Sequence, residues 1–221
     1  NSPVMIIAEI ASAHEGNFES LIKLIDFAIK TGAEALKFQV LNAEAHMTSK
    51  HKIWDLVQQL EFTKEQWIEA AAYTRMNTNM LMLTDVYDVK SIETVVDMKP
   101  DMVKIHSADL NNFELVEAVA KLGIPTMVGV GASTLNEITQ CIDLFRNFNP
   151  NGFLSLMHGY QGFPTELEDM NIRQLSMLRD IYNLPVGFLD HAEGDTDASL
   201  FIPLAARSIG AFAIEKHICL D

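Results

Sequence analysis

Five of the seven histidines, His14, His106, His158, His191 and His217, stand at or just beyond the end of a strand-like apolar run. Imidazoles serve as metal ligands and as acid–base groups near neutral pH, so their convergence points to a chemical site. Charged residues interrupt the same runs: Glu9, Lys37, Lys104, Glu215 and Lys216. A charge buried without a partner is costly, so each must be paired or face a ligand. Period-two alternation puts Lys37 with Gln39, Lys104 with His106, and Glu215 with His217 on common faces, with Lys216 pointing the other way. Two readings stay open: the lysines converge on an anion, or they form core salt bridges with Glu9 and Glu215. His191 and His217 form a candidate metal pair, with Asp190, Glu215 or Glu9 ordering bound water. Cys219 shares the face of His217 and is either a third ligand or an ordinary small strand residue. The turn Gly129-Val130-Gly131-Ala132-Ser133 lacks the GxGxxG pattern. It either offers backbone N–H groups to a phosphate or is simply a tight turn.

These residues need elements to bring them together. Strand-like runs alternate with amphipathic stretches, the pattern of a parallel sheet covered by helices. Strands are expected near Met5–Ile10, Ala35–Val40, Met80–Thr84, Met102–His106, Pro125–Val130, Phe153–His158, Val186–Leu189 and Ala211–Ile218. Eight strands with seven intervening helices predict one domain over residues 1–221, a TIM (β/α)8 barrel with its site at the C-terminal strand ends. In the first helix Asn17 is the cap, Leu21, Ile22, Ile25, Ala28 and Ile29 recur at helical spacing, and Gly32 is the stop. Later helices are expected to begin near Thr63, Val89, Asn111, Thr134, Asp169 and Asp195. Residues 41–61, with Met47, His51 and Trp54, form a long excursion of the kind that serves as a lid. The final, eighth helix is missing, so cover for strands one and eight is expected from beyond Asp221 or from another element. Asn1-Ser2-Pro3 and Asp221 read as trimmed ends of a longer protein.

The chain is long enough to bury one sizeable core, with 48% hydrophobic residues among 221. No run approaches the ~20 apolar residues of a membrane span, and no basic-then-apolar leader opens it. A net charge of −14 argues against nucleic acid and anionic membranes as partners. Cys141 and Cys219 have neither metal-ribbon nor CxxC spacing, so a soluble protein of the reducing cytoplasm is expected.

Five segments in this order resemble the sialic acid synthase family. They are Ile7-Ala8-Glu9-Ile10 with His14-Glu15-Gly16, Gly32-Ala33-Glu34-Ala35-Leu36-Lys37-Phe38-Gln39, Lys104-Ile105-His106-Ser107, Pro185-Val186-Gly187-Phe188-Leu189-Asp190-His191, and Glu215-Lys216-His217. The resemblance runs through nearly the whole chain. It implies a transferase that condenses phosphoenolpyruvate with an open-chain N-acetylated hexosamine or its phosphate. The product is a sialic acid-like nonulosonic acid, and phosphate is released. It also implies a divalent metal, usually Mn2+, held by His191 and His217 and polarising the aldehyde that carbon three of phosphoenolpyruvate attacks. Lys37, Lys104, Thr84 and Ser107 would hold phosphate and carboxylate, and Glu215 would be the general base for water addition. Glu9, Gln39 and Asp109 would line the metal or sugar pocket. A homodimer with a small C-terminal domain after the barrel completes what the resemblance implies.

Departures from the family pattern are specific. Ala11 and Ala13 replace glycine and asparagine, Gly129-Val130-Gly131 replaces a Ser-Thr-Gly turn, and Leu189 replaces a serine. Gln161 and Phe163 replace an asparagine and a tyrosine. Each phosphate hydrogen bond lost this way weakens binding by about 1–3 kcal/mol unless compensated. His106, His158, Tyr160 and Gln161, the last a candidate substrate contact, either compensate or recognise another sugar. The alternative functions are a barrel that binds sugar phosphates without condensing, and an isomerase or aldolase using the same pocket. Glu168, Asp169 and Asn171 also fit the family, although helix capping accounts for them.

Overall fold

The computed structural model describes residues 3–220; Asn1, Ser2 and Asp221, which carried the expectation of trimmed ends, lie outside them. The strands are β1 (Met5–Glu9), β2 (Ala35–Val40), β3 (Leu81–Val86), β4 (Met102–Ile105), β5 (Thr126–Gly129), β6 (Leu154–His158), β7 (Val186–Asp190) and β8 (Ala213–His217). They pair in parallel, in chain order, and β8 closes on β1. The helices are α1 (Phe18–Thr31), α2 (Ala43–His46), α3 (Trp54–Gln59), α4 (Lys64–Asn77), α5 (Ile92–Met98), α6 (Phe113–Leu122), α7 (Leu135–Phe148), α8 (Gln174–Tyr182) and α9 (Ala198–Ser208). The TIM barrel expected from the alternating pattern is the fold observed. No helix follows β8 among the described residues.

Local chemistry explains the helix ends. Asn17 accepts the Ser20 amide at the start of α1, and Gly32 ends that helix at φ 78°. Thr63 with Gln66, and Thr134 with Glu137, form capping boxes at the starts of α4 and α7. Three expected starts come too early. The turn before α5 is held by Asp88, which accepts from the Ser91 amide and hydroxyl at 2.8 and 2.6 Å, so the helix begins beyond Val89. Likewise α8 begins at Gln174, and α9 begins after Asp197. No side chain caps α8, so the capping account of Glu168, Asp169 and Asn171 is corrected.

Alternation along the strands builds two cores. Outward residues such as Leu36, Phe38, Val103 and Phe188 pack beneath Leu21, Trp67, Val116 and Leu178 of the helices. Inward residues Ile7, Ala35, Leu83, Met102, Met127, Met157, Leu189 and Ala213 fill the barrel itself. On β1, β2, β3, β4 and β8 the next inward residue toward the C-terminal end is charged: Glu9, Lys37, Asp85, Lys104 and Glu215. A polar layer thus sits on the apolar plug, below the strand ends.

Candidate active site

The five charged residues pair with one another inside the barrel. Lys37 Nζ lies 2.9 Å from Asp85 Oδ2 and 2.7 Å from Glu215 Oε1, and it also pairs with Glu9 Oε2. Lys104 Nζ reaches Glu215 Oε1 and Oε2 at 2.9 and 3.2 Å, and Asp85 Oδ2 at 3.4 Å. Of the two readings of the lysines, the salt bridges are present, and they include a partner that the sequence reading missed, Asp85. It lies two residues beyond inward Leu83 and is the register partner of Lys104, a pairing that only the folded sheet reveals. Burial opposes the charge of Glu215, yet Lys104 and Lys37 outweigh it and hold the carboxyl well below its usual range. Burial likewise opposes the charge of Lys104, but Asp85 and Glu215 raise its pKa.

Above this layer opens a cavity of about 230 Å³ lined by Gln39, Lys104, His106, Gln161, Phe163, Leu189, His191, Glu215 and His217. The His191 and His217 rings are 5.3 Å apart, centroid to centroid. Phe163 packs on both, 5.9 and 5.1 Å away. His191 Nδ1 donates to the Tyr160 carbonyl oxygen at 2.7 Å, which leaves its other nitrogen with the lone pair. Burial lowers the pKa of His191, and burial with the neighbouring His191 drives His217 to about 4, so both rings are neutral at pH 7. They are the two residues suited to hold a metal. Among the described residues no cluster of three or more His, Cys, Asp or Glu could hold one unaided. Cys219 is therefore not a third ligand beside this pair. Asp190 Oδ1 accepts the Ala192 amide and Oδ2 takes Lys216.

The remaining candidates separate by position. Gln39, Lys104, Gln161, Glu215, His191 and His217 meet at the cavity. Glu9 and Lys37 are fully buried beneath it, with Glu9 Oε1 accepting the Ala11 amide at 2.7 Å. Ser107 is buried at the end of β4, its hydroxyl without a partner. A Cβ on Gly129 would stand 2.4 Å from Ser107 Oγ, and one on Gly131 2.1 Å from the Gly159 carbonyl oxygen, so close packing accounts for both glycines. Thr84 is a correction: it follows inward Leu83, precedes inward Asp85 and pairs in register with Phe38 and Val103, so it faces the helices. Asp109 lines a neighbouring pocket with His46, Tyr87 and Asn112 rather than the central cavity. Burial raises its carboxyl to about 6.

The histidines also divide. His106 lines the cavity, stacks on Tyr87 at 5.4 Å and uses Nδ1 to accept the Ala108 amide at 3.2 Å. His14 is elsewhere, buried between Phe62 at 4.7 Å and Trp67 at 6.4 Å. His158 is buried with Nε2 unpartnered. The excursion of residues 41–61 folds into α2 and α3 and packs beside the first loop, where a Cβ on Gly16 would collide with the Gln59 carbonyl. None of its residues lines the central cavity, whereas Ala45 and His46 line the neighbouring pocket with Asp109.

A family model described as the NeuB family matches residues 24–221. The chain is 32% identical, over 99% of its length, to an uncharacterized protein of Methanocaldococcus jannaschii, of which it covers 63%. It is 30% identical to the pseudaminic acid synthase of Campylobacter jejuni, over 99% of this chain and 66% of that protein. The chain thus spans just under two thirds of these relatives. A sialic acid synthetase from Leptospira borgpetersenii, solved with citrate, superposes with a TM-score of 0.92 at 29% identity, covering 100% of this chain and 74% of that one.

Proposed function

The chain belongs to the NeuB family, and from that premise we propose that its cavity condenses phosphoenolpyruvate with an N-acetylated hexosamine, or its phosphate, to a sialic acid-like nonulosonic acid, releasing phosphate. The observation that carries the reading is the meeting of two neutral imidazoles with a buried lysine–carboxylate layer in one cavity. Relatives named as synthases of pseudaminic and sialic acid support the class of product. A homodimer and a cytoplasmic setting belong to the same proposal.

His191 and His217 would hold the divalent metal, Mn2+. Imidazole donors in their neutral form suit such an ion, and two protein ligands leave positions for water and substrate. When bound, the metal polarises the acceptor's aldehyde oxygen. Lys104, which lines the cavity, is the cation that an entering phosphate or carboxylate meets, with Lys37 behind it. Both lysines already carry carboxylate partners, so the anion binds by exchange. As Lys104 turns to the substrate, Glu215 loses a counter-charge and its pKa rises from the depressed value. Substrate binding thereby readies Glu215 to take a proton from the water that adds to the developing cation. Gln39 and Gln161 offer neutral hydrogen bonds on the walls, while Leu189 and Phe163 limit water there.

The test is release of phosphate from phosphoenolpyruvate by the purified protein with Mn2+ and a panel of N-acetylhexosamines and their phosphates. A 2-keto acid product should appear in step with the phosphate, and no release across the panel refutes the reading. The prior engagement of both lysines favours a second reading, a barrel that binds the anion without condensing it. Tight phosphoenolpyruvate binding without turnover selects that one.

A further inference from the structure

Asp190 and Lys216 are register partners on β7 and β8, each one residue before a cavity histidine. By alternation both point away from the barrel interior, so they meet behind the sheet where His191 and His217 meet in front of it. Lys216 Nζ lies 2.5 Å from Asp190 Oδ2 and donates to the Ser199 carbonyl oxygen at 2.8 Å. Asp190, 3% exposed, accepts the Ala192 amide at 3.0 Å through its other oxygen and so brackets His191 from both sides. Ser199 Oγ in turn donates to the carbonyl oxygens of Gly194 and Thr196, which ties the loop after His191 to the start of α9. Every backbone segment carrying the two imidazoles is fastened to this one pair.

We propose that the Asp190–Lys216 ion pair is a positioning clamp that sets the separation of His191 and His217 for a divalent metal; the metal part rests on the function proposed above. Groups behind metal ligands typically change affinity 10- to 100-fold when removed. Mn2+ titration by calorimetry should show about that loss in Asp190→Asn and in Lys216→Met, with circular dichroism unchanged. Lys216→Arg should recover most of the affinity, and the double variant should bind no more weakly than the worse single, as expected of a shared contact. Glu117→Gln, which breaks the surface pair with Lys121, should bind as the wild type does. Wild-type affinity in both single variants overturns the clamp. A second readout needs no metal: in crystals of metal-free Lys216→Met the two rings should depart from their 5.3 Å separation or lose a single orientation. An unchanged pair of rings also overturns the clamp. If the wild type binds no Mn2+, the functional reading fails, and the crystal comparison still decides whether the clamp exists.

Discussion

Replacing Lys37 with methionine leaves Lys104 as the one cation among the layer's charged residues, facing Glu9, Asp85 and Glu215. Two lysines and three carboxylates sum to 2 − 3 = −1, and Lys37→Met takes the layer to −2. Lys37 is 0% exposed, so water does not screen the change. Breaking a buried ion pair from one side costs about 3–5 kcal/mol. At roughly 2–4 °C per kcal/mol for a domain of this size, the melting temperature should fall by about 6–20 °C. Glu215→Gln breaks the same Lys37–Glu215 bridge yet leaves two cations facing two carboxylates, and its amide still accepts a hydrogen bond. Its cost should be nearer to about 1–2 kcal/mol. Urea unfolding at pH 7.5 measures both, and Lys37→Met/Glu9→Gln should regain part of the loss. Equal costs for the two single variants, or a neutral Lys37→Met, refute the charge balance as the origin of the layer's stability.

Three further outcomes follow from neighbouring features. His14 is held at about 4 in the fold against 6.5 when free, so the unfolded chain binds the extra proton. The stability this contributes is complete above pH 6.5 and is withdrawn as the pH falls toward 4, by about 3 kcal/mol in all; melts at pH 7.5 and 5.0 should show a steeper acid loss in the wild type than in His14→Phe. Gly129→Ser places a side chain against Ser107, and it should destabilise by about 1–3 kcal/mol in urea without strengthening phosphoenolpyruvate binding; tighter binding would show that the missing hydroxyl, not the packing, governs this turn. His217→Ala leaves one imidazole of the pair, so calorimetry should detect no Mn2+ binding, and retained binding contradicts the assignment.

Much of this architecture was legible in the residues, and the failures have physical causes. Apolar runs separated by capped amphipathic helices place all eight strands, because burial on both faces of a parallel barrel demands them. The facing of Lys37, Lys104, Glu215 and His217 also follows from alternation alone. Thr84 shows the limit: the apolar run ends at Leu83, and nothing local says whether Thr84 or Asp85 is the inward residue. Only pairing with the lysines of β2 and β4 decides it. His14 looked like a site residue because it follows β1, yet the Phe62 and Trp67 rings that enclose it lie far along the chain. Phe163 was legible as a departure from the family pattern, but not as the ring packed on the two imidazoles, since a loop's path is set by tertiary contacts such as the Thr165 amide donating to the His191 carbonyl oxygen.

Anomalous diffraction from crystals soaked with Mn2+ and phosphoenolpyruvate tests the central claim most directly. One manganese peak should lie between His191 and His217, with the phosphoenolpyruvate anion against Lys104 and Glu215 displaced from it. No peak between those rings, with the lysines still paired to their carboxylates, contradicts the account.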